Sequence, residues 1–224
     1  MNCLTKRLLT LATFVLLHLA VAPATYADAF AEIGDAPETL PGQPAAGGAN
    51  PLTAITGVIS SPTDADLFRI LITSPTTFRA LALGSGTVTD TQLFLFNASG
   101  LGIVGNDDTG SLNALIGPAI PGLITPGEYL LAITGFDRDP VDGSGLQIFT
   151  DNLTGVQAPI AGRGPLAGFS GTSGTGSYTI VLTGANFVQG GVATVPEPAT
   201  MILLGTGLAG VAGAARRRRK TVNS

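Results

Sequence analysis

Between Leu67 and Leu182 several runs of this chain carry apolar side chains at every second residue, and a period of two decides the fold class. Phe68, Ile70 and Ile72 alternate with Leu67, Arg69 and Leu71, and Phe78, Ala80 and Ala82 alternate with Thr77 and Arg79. Tyr129, Leu131 and Ile133 alternate with Glu128, Leu130 and Ala132, as Tyr178, Ile180 and Leu182 do with Thr179, Val181 and Thr183. Successive side chains of a strand point to opposite faces, so such alternation marks sheets with one face in a core. Leu93 to Phe96 is apolar throughout, as expected of a strand buried on both faces. Turn residues divide the runs: Ser61-Pro62, Ser74-Pro75, Gly84-Ser85-Gly86, Ala98-Ser99-Gly100, Pro126-Gly127 and Asp142-Gly143. The pattern predicts an all-β body, an antiparallel sandwich or barrel, over residues 51–185.

Residues 28–50 hold Pro37, Pro41, Pro44, Gly42, Gly47 and Gly48 with little apolar content and are expected to form an extended lead-in. Residues 186–195 are expected to be a linker. Between Asp28 and Val195 fourteen Asp and Glu face only four Arg, a net charge of −10 that the basic ends conceal in the overall −4. A body this acidic repels phosphate backbones, which disfavours nucleic acid as a partner. Arg69 and Arg79, expected on adjacent strands, are read as balancing nearby acids on a solvated face.

Both ends of the chain carry apolar segments flanked by cations. At the start, Lys6 and Arg7 precede the nearly continuous apolar stretch Leu8 to Ala22, followed by Ala24, Ala27 and Ala29. This is the pattern of a secretory signal peptide over residues 1–27, a helix cleaved after Ala27 or Ala29. At the other end, Pro196-Glu197-Pro198 leads into the apolar run Ala199 to Ala215 and then Arg216, Arg217, Arg218, Arg219 and Lys220. Seventeen helical residues reach about 25 Å, a little short of a hydrocarbon core of about 30 Å but read as a single marginal span, and the cations hold that end in the cytoplasm. Two unrelated stretches thus place residues 28–195 outside the inner membrane.

The order Pro-Glu-Pro, apolar helix, basic cluster resembles the PEP-CTERM sorting signal of Gram-negative bacteria, over residues 196–220. The resemblance implies an exosortase, a membrane transpeptidase-like enzyme, as partner, with cutting near the triplet and delivery to the cell surface or the extracellular polysaccharide matrix. An ordinary membrane anchor with a basic stop is the alternative.

A second resemblance covers about residues 52–184. Asp64-Ala65-Asp66-Leu67-Phe68, Asp90-Thr91-Gln92-Leu93-Phe94-Leu95-Phe96-Asn97, Gly105-Asn106-Asp107-Asp108 and Pro126-Gly127-Glu128-Tyr129-Leu130-Leu131 follow one another as in the bacterial pre-peptidase C-terminal domain. That family implies a jelly-roll-like β-sandwich, and some of its members bind calcium. Here no catalytic domain precedes the module, and the insertion Asp137 to Ser173 is long and Gly-rich, so the resemblance does not give its path.

Subtraction narrows the chemistry. The one Cys (Cys3) and the one His (His18) lie in the signal segment, and Lys occurs only at Lys6 and Lys220. Ser-His, Cys-His, Ser-Lys and Schiff-base mechanisms each lack a member in the exported body, so no enzyme is expected. Without imidazole or thiolate, only oxygen ligands for Ca²⁺ or Mg²⁺ remain. Candidate calcium ligands are Asn106, Asp107 and Asp108, then Asp64 with Asp66, then Asp137, Asp139 and Asp142. The expectation is an exported, non-enzymatic β-sandwich protein with a structural or adhesive role, toward polysaccharide. The alternative is a calcium-stabilised accessory or binding module of a secreted hydrolase system.

Overall fold

The computed structural model describes residues 28–49, 51–118 and 125–189. The signal segment, the Pro-Glu-Pro triplet, the apolar run and the basic cluster lie outside the described residues. Those described form fourteen strands: β1 (Asp28–Ala31), β2 (Gln43–Pro44), β3 (Leu52–Ile59), β4 (Asp66–Ile72), β5 (Arg79–Gly84), β6 (Thr91–Asn97) and β7 (Gly102–Asn106). β8 (Leu115–Ile116), β9 (Gly127–Gly135), β10 (Arg138–Asp142), β11 (Val156–Gln157), β12 (Leu166–Gly171), β13 (Gly176–Thr183) and β14 (Ala185–Asn186) follow.

They build an all-β sandwich. One sheet has the order β1-β3-β13-β5-β8, the other β11-β7-β6-β9-β4-β14 with β2 also on β4, and β10 and β12 form a separate pair. The long ladders are antiparallel as the alternation predicts, whereas β1 on β3 and β2 on β4 are parallel. Ile55, Ala80, Ala82, Tyr178, Ile180 and Leu182 of the first sheet meet Phe68, Ile70, Ile72, Leu93, Leu95, Leu131 and Ile133 of the second in one buried core. The alternating positions named from sequence are the ones that point inward.

Arg69 and Arg79 do not sit on adjacent strands. β4 and β5 belong to different sheets, and Arg69 lies 3.6 Å from Glu128 on neighbouring β9. Alternation reveals which face a residue occupies but not which strands become neighbours, because consecutive strands here cross from one sheet to the other.

Residues 28–49 run extended, yet they are built into the sheets rather than leading up to them. Phe30 of β1 is buried with its ring 6.2 Å from that of Phe68. Glu32 accepts hydrogen bonds from the backbone N–H groups of Ala36 (2.7 Å) and Val58 (2.9 Å), and Glu38 takes one from Arg138 at 2.7 Å. At the other boundary, Ala185, Phe187 and Val188 are buried too, so the folded body reaches past residue 185.

The insertion after β9 covers the outer face of the second sheet. Phe94, Phe96, Leu130, Ala132 and Leu67 point away from the main core, and Ile148, Phe149 and Leu166 close over them in a second buried cluster. The Phe149 ring centre lies 5.4 Å from that of Phe94 and 5.5 Å from that of Phe96. The approach is close enough to need glycine beneath it: a Cβ at Gly102 would come within 2.7 Å of Ile148 and 2.8 Å of Phe149. Arg138 anchors the β10–β12 pair, donating to the Gly171 carbonyl at 3.0 Å with its guanidinium 5.8 Å from the centre of the Phe169 ring.

Two cores should therefore respond alike to truncation, unlike the open face of the first sheet. Phe94→Ala is expected to cost about 3–5 kcal/mol, and Leu83→Ala, at a side chain 41% exposed, about 1 kcal/mol or less. Urea denaturation of the exported protein checks both; a small cost at Phe94 would show that the insertion does not seal this face.

Candidate functional site

Antiparallel pairing of β6 with β7 sets Leu93 opposite Asn106, so the residues just before β6 lie beside those just after β7. Asp90 is thereby carried to Asp107 and Asp108, and carboxylate oxygens of the three lie within 4.8 Å of one another. Asp107 is only 1% exposed. Among the described residues neither of its oxygens has a hydrogen-bond partner, and the same holds for Oδ1 of Asp90 and Oδ1 of Asp108.

Buried oxygens without donors are costly, and three charges at this spacing compound the cost. Two unit charges about 4.8 Å apart at an effective dielectric near 20 repel by roughly 3.5 kcal/mol, several times thermal energy. Burial first, then Asp90, Asp108, Asp139 and Asp137, push the Asp107 carboxyl up to about 7. Asp90 is raised as well, by burial and then by Asp108. No ion pair relieves them: among the described residues the ion pairs are Arg69–Glu128 and Arg138–Glu38, and Arg163 donates to the Gln147 carbonyl.

Asn106, grouped with Asp107 and Asp108 from sequence, is occupied differently. Its Oδ1 accepts from the Thr109 hydroxyl (3.0 Å) and the Leu115 N–H (2.7 Å), which folds the 106–115 loop around it. Asp139 accepts from Gln92 (3.3 Å) and Gln147 (2.9 Å), and Asp142 caps a turn through the N–H groups of Ser144, Leu146 and Gly164. Asn106 and Asp142 thus shape their own loops, as Asn and Asp commonly do, whereas Asp139 ties its strand to Gln92 of β6.

Asp64 and Asp66 also part company. Asp64 accepts from the Ser60 N–H at 2.5 Å, whereas Asp66 joins Glu32 and Asp35 in a second group with oxygens within 4.8 Å. Asp66 is fully buried, and neither of its oxygens has a hydrogen-bond partner among the described residues. Burial raises its carboxyl to about 9, with Glu32 and Asp64 adding to the shift. At neutral pH Asp66 is therefore held in the protonated, neutral form. Glu32 and Asp35, which sequence left in the lead-in, enter this group because β1 lies along β3.

Asp90 is the member of the first group that adjacency in sequence does not reveal. Its signal was available: an aspartate ahead of one strand of an antiparallel pair and two aspartates after the other. The Asp66 shift has a signed consequence for stability. A carboxyl near 9 in the folded state and near 4 in the unfolded state makes the folded form bind more protons, so stability falls as pH rises from about 4 to about 9. Asp66→Asn is expected to flatten that decline and to raise the unfolding midpoint above pH 7. Thermal melts from pH 4 to 9 in chelator check it, and an unchanged slope would remove the assignment.

Among the described residues no helix is long and apolar enough to cross a membrane. No curated protein matches the chain. Residues 194–219 match the family model of the PEP-CTERM protein-sorting motif, which spans the triplet Pro196-Glu197-Pro198, the apolar run and the cluster beginning at Arg216. A motif of this kind implies an exported, membrane-anchored precursor that an exosortase sorts to the cell surface.

Proposed function

We propose that the chain is a non-enzymatic β-sandwich protein that an exosortase cuts near Pro196-Glu197-Pro198 and delivers to the cell surface or the polysaccharide matrix, where it has a structural or adhesive role. The sandwich is of the jelly-roll-like, pre-peptidase C-terminal kind. The observation that carries this reading is the sorting motif at 194–219 behind an acidic all-β body.

The side chains of the body support a role without catalysis. Paired carboxylates are the one acid–base device left to it, and glycosidases need two of them free in a cleft. Glu32 is engaged by two backbone N–H groups, Glu38 by Arg138 and Glu128 by Arg69. Asp139 and Asp142 are likewise committed to neighbouring donors. Asp66 and Asp107, neither of whose oxygens has a donor among the described residues, are buried rather than presented to a substrate.

Replacing Pro196, Glu197 and Pro198 together by Ala is expected to leave the precursor uncut in the inner membrane, with the surface fraction reduced at least tenfold. Replacing Arg216 to Lys220 by Ser is expected to disturb topology while leaving the triplet intact. Membrane fractionation and immunoblotting in the native host check both. Normal surface delivery of the triplet variant would contradict sorting by this motif.

A further inference from the structure

We propose that Asp90, Asp107 and Asp108 form a binding site for one hard divalent cation of the calcium class, which clamps the β5–β6 connection to the end of β7. The inference goes beyond the sorting role and does not depend on it.

Geometry carries it. Calcium binds oxygen at about 2.3–2.6 Å, so ligands facing each other across the ion stand close to 4.8 Å apart, the limit within which the three carboxylates fall. Four of their oxygens are shut away from solvent with no donor among the described residues. Asp107, in the middle, is nine-tenths buried by a wide margin and aimed into the group. A cluster of acids at the surface would be solvated and would need no ion; this one has neither water access nor a donor at those atoms.

Neighbouring groups make the site selective by charge. Asp137 and Asp139 add negative potential at Asp107, and among the described residues no arginine forms an ion pair with the three aspartates. The ligand type follows from the donor set, since carboxylate oxygens suit hard cations. Asn106 stays outside the site because its Oδ1 is held by Thr109 and Leu115.

The ion would hold more than three side chains together. The Asp90 carbonyl accepts from the Phe136 N–H at 3.0 Å and the Asp107 N–H donates to the Gly155 carbonyl at 3.2 Å. Fixing Asp90 to Asp107 therefore links the connection ahead of β6, the end of β9 and the insertion beside β11.

The test is calcium titration by calorimetry, with thermal melts in calcium and in chelator, on the full chain purified in detergent. Wild type is expected to bind calcium and melt higher in its presence. Asp107→Asn and Asp90→Asn should weaken this site at least tenfold and abolish its share of the calcium-dependent rise, whereas Asp66→Asn should leave it in place. Asn at 107 removes a buried charge without changing shape, so its melting point in chelator should equal or exceed that of wild type, which separates lost binding from misfolding. Wild type that binds no calcium, or binding that survives Asp107→Asn and disappears with Asp66→Asn, would overturn the assignment.

Discussion

Double-sided burial of β6 is the constraint on which the rest of the molecule rests. Leu93 and Leu95 enter the core between the sheets, while Phe94 and Phe96 leave it on the other side. A sandwich sheet ordinarily gives its outer face to water, and two phenylalanines there would each expose a large apolar area. The insertion answers that need with Ile148, Phe149 and Leu166. Three layers result where a plain sandwich has two, and the extra layer is what brings Asp139 and Gly155 beside the end of β7.

Charge is the second organising factor. A body with fourteen acids and four arginines cannot neutralise its buried carboxylates by ion pairing. Arg138, the most buried of the cations, serves Glu38 and the Gly171 carbonyl. What remains for the orphaned acids is a proton or a bound cation. Asp66, enclosed by the sandwich beside Tyr178, is held neutral by burial. Asp107 sits with two further aspartates and has no donor at either oxygen among the described residues, an arrangement that a cation would satisfy.

Alternation made the main core legible in the sequence, because Phe68, Ile70, Leu131, Ile180 and their like are fixed to one face by a strict period of two. The apolar run at Leu93 likewise announced a strand with no wet side. The lead-in was opaque for a physical reason: β1 and β2 are four and two residues long, too short for periodicity, and Pro and Gly mask their extended course. Strand neighbours are opaque as well: Arg69 and Arg79 lie on successive alternating runs yet belong to different sheets. At the candidate site, adjacency in sequence favoured Asn106 over Asp90. Only the register of β6 against β7 shows that Asp90 is the third partner of Asp107 and Asp108 while Asn106 turns into its own loop.

The topology on which the functional reading depends is tested most directly by the intact mass of the protein recovered from its native host. The expected mass lacks the residues up to Ala27 or Ala29 and also lacks everything from the Pro-Glu-Pro triplet region through Ser224, in material taken from the cell surface or medium. A full-length mass recovered from the cytosol, with Met1 to Ala27 and the five terminal cations still attached, would contradict it.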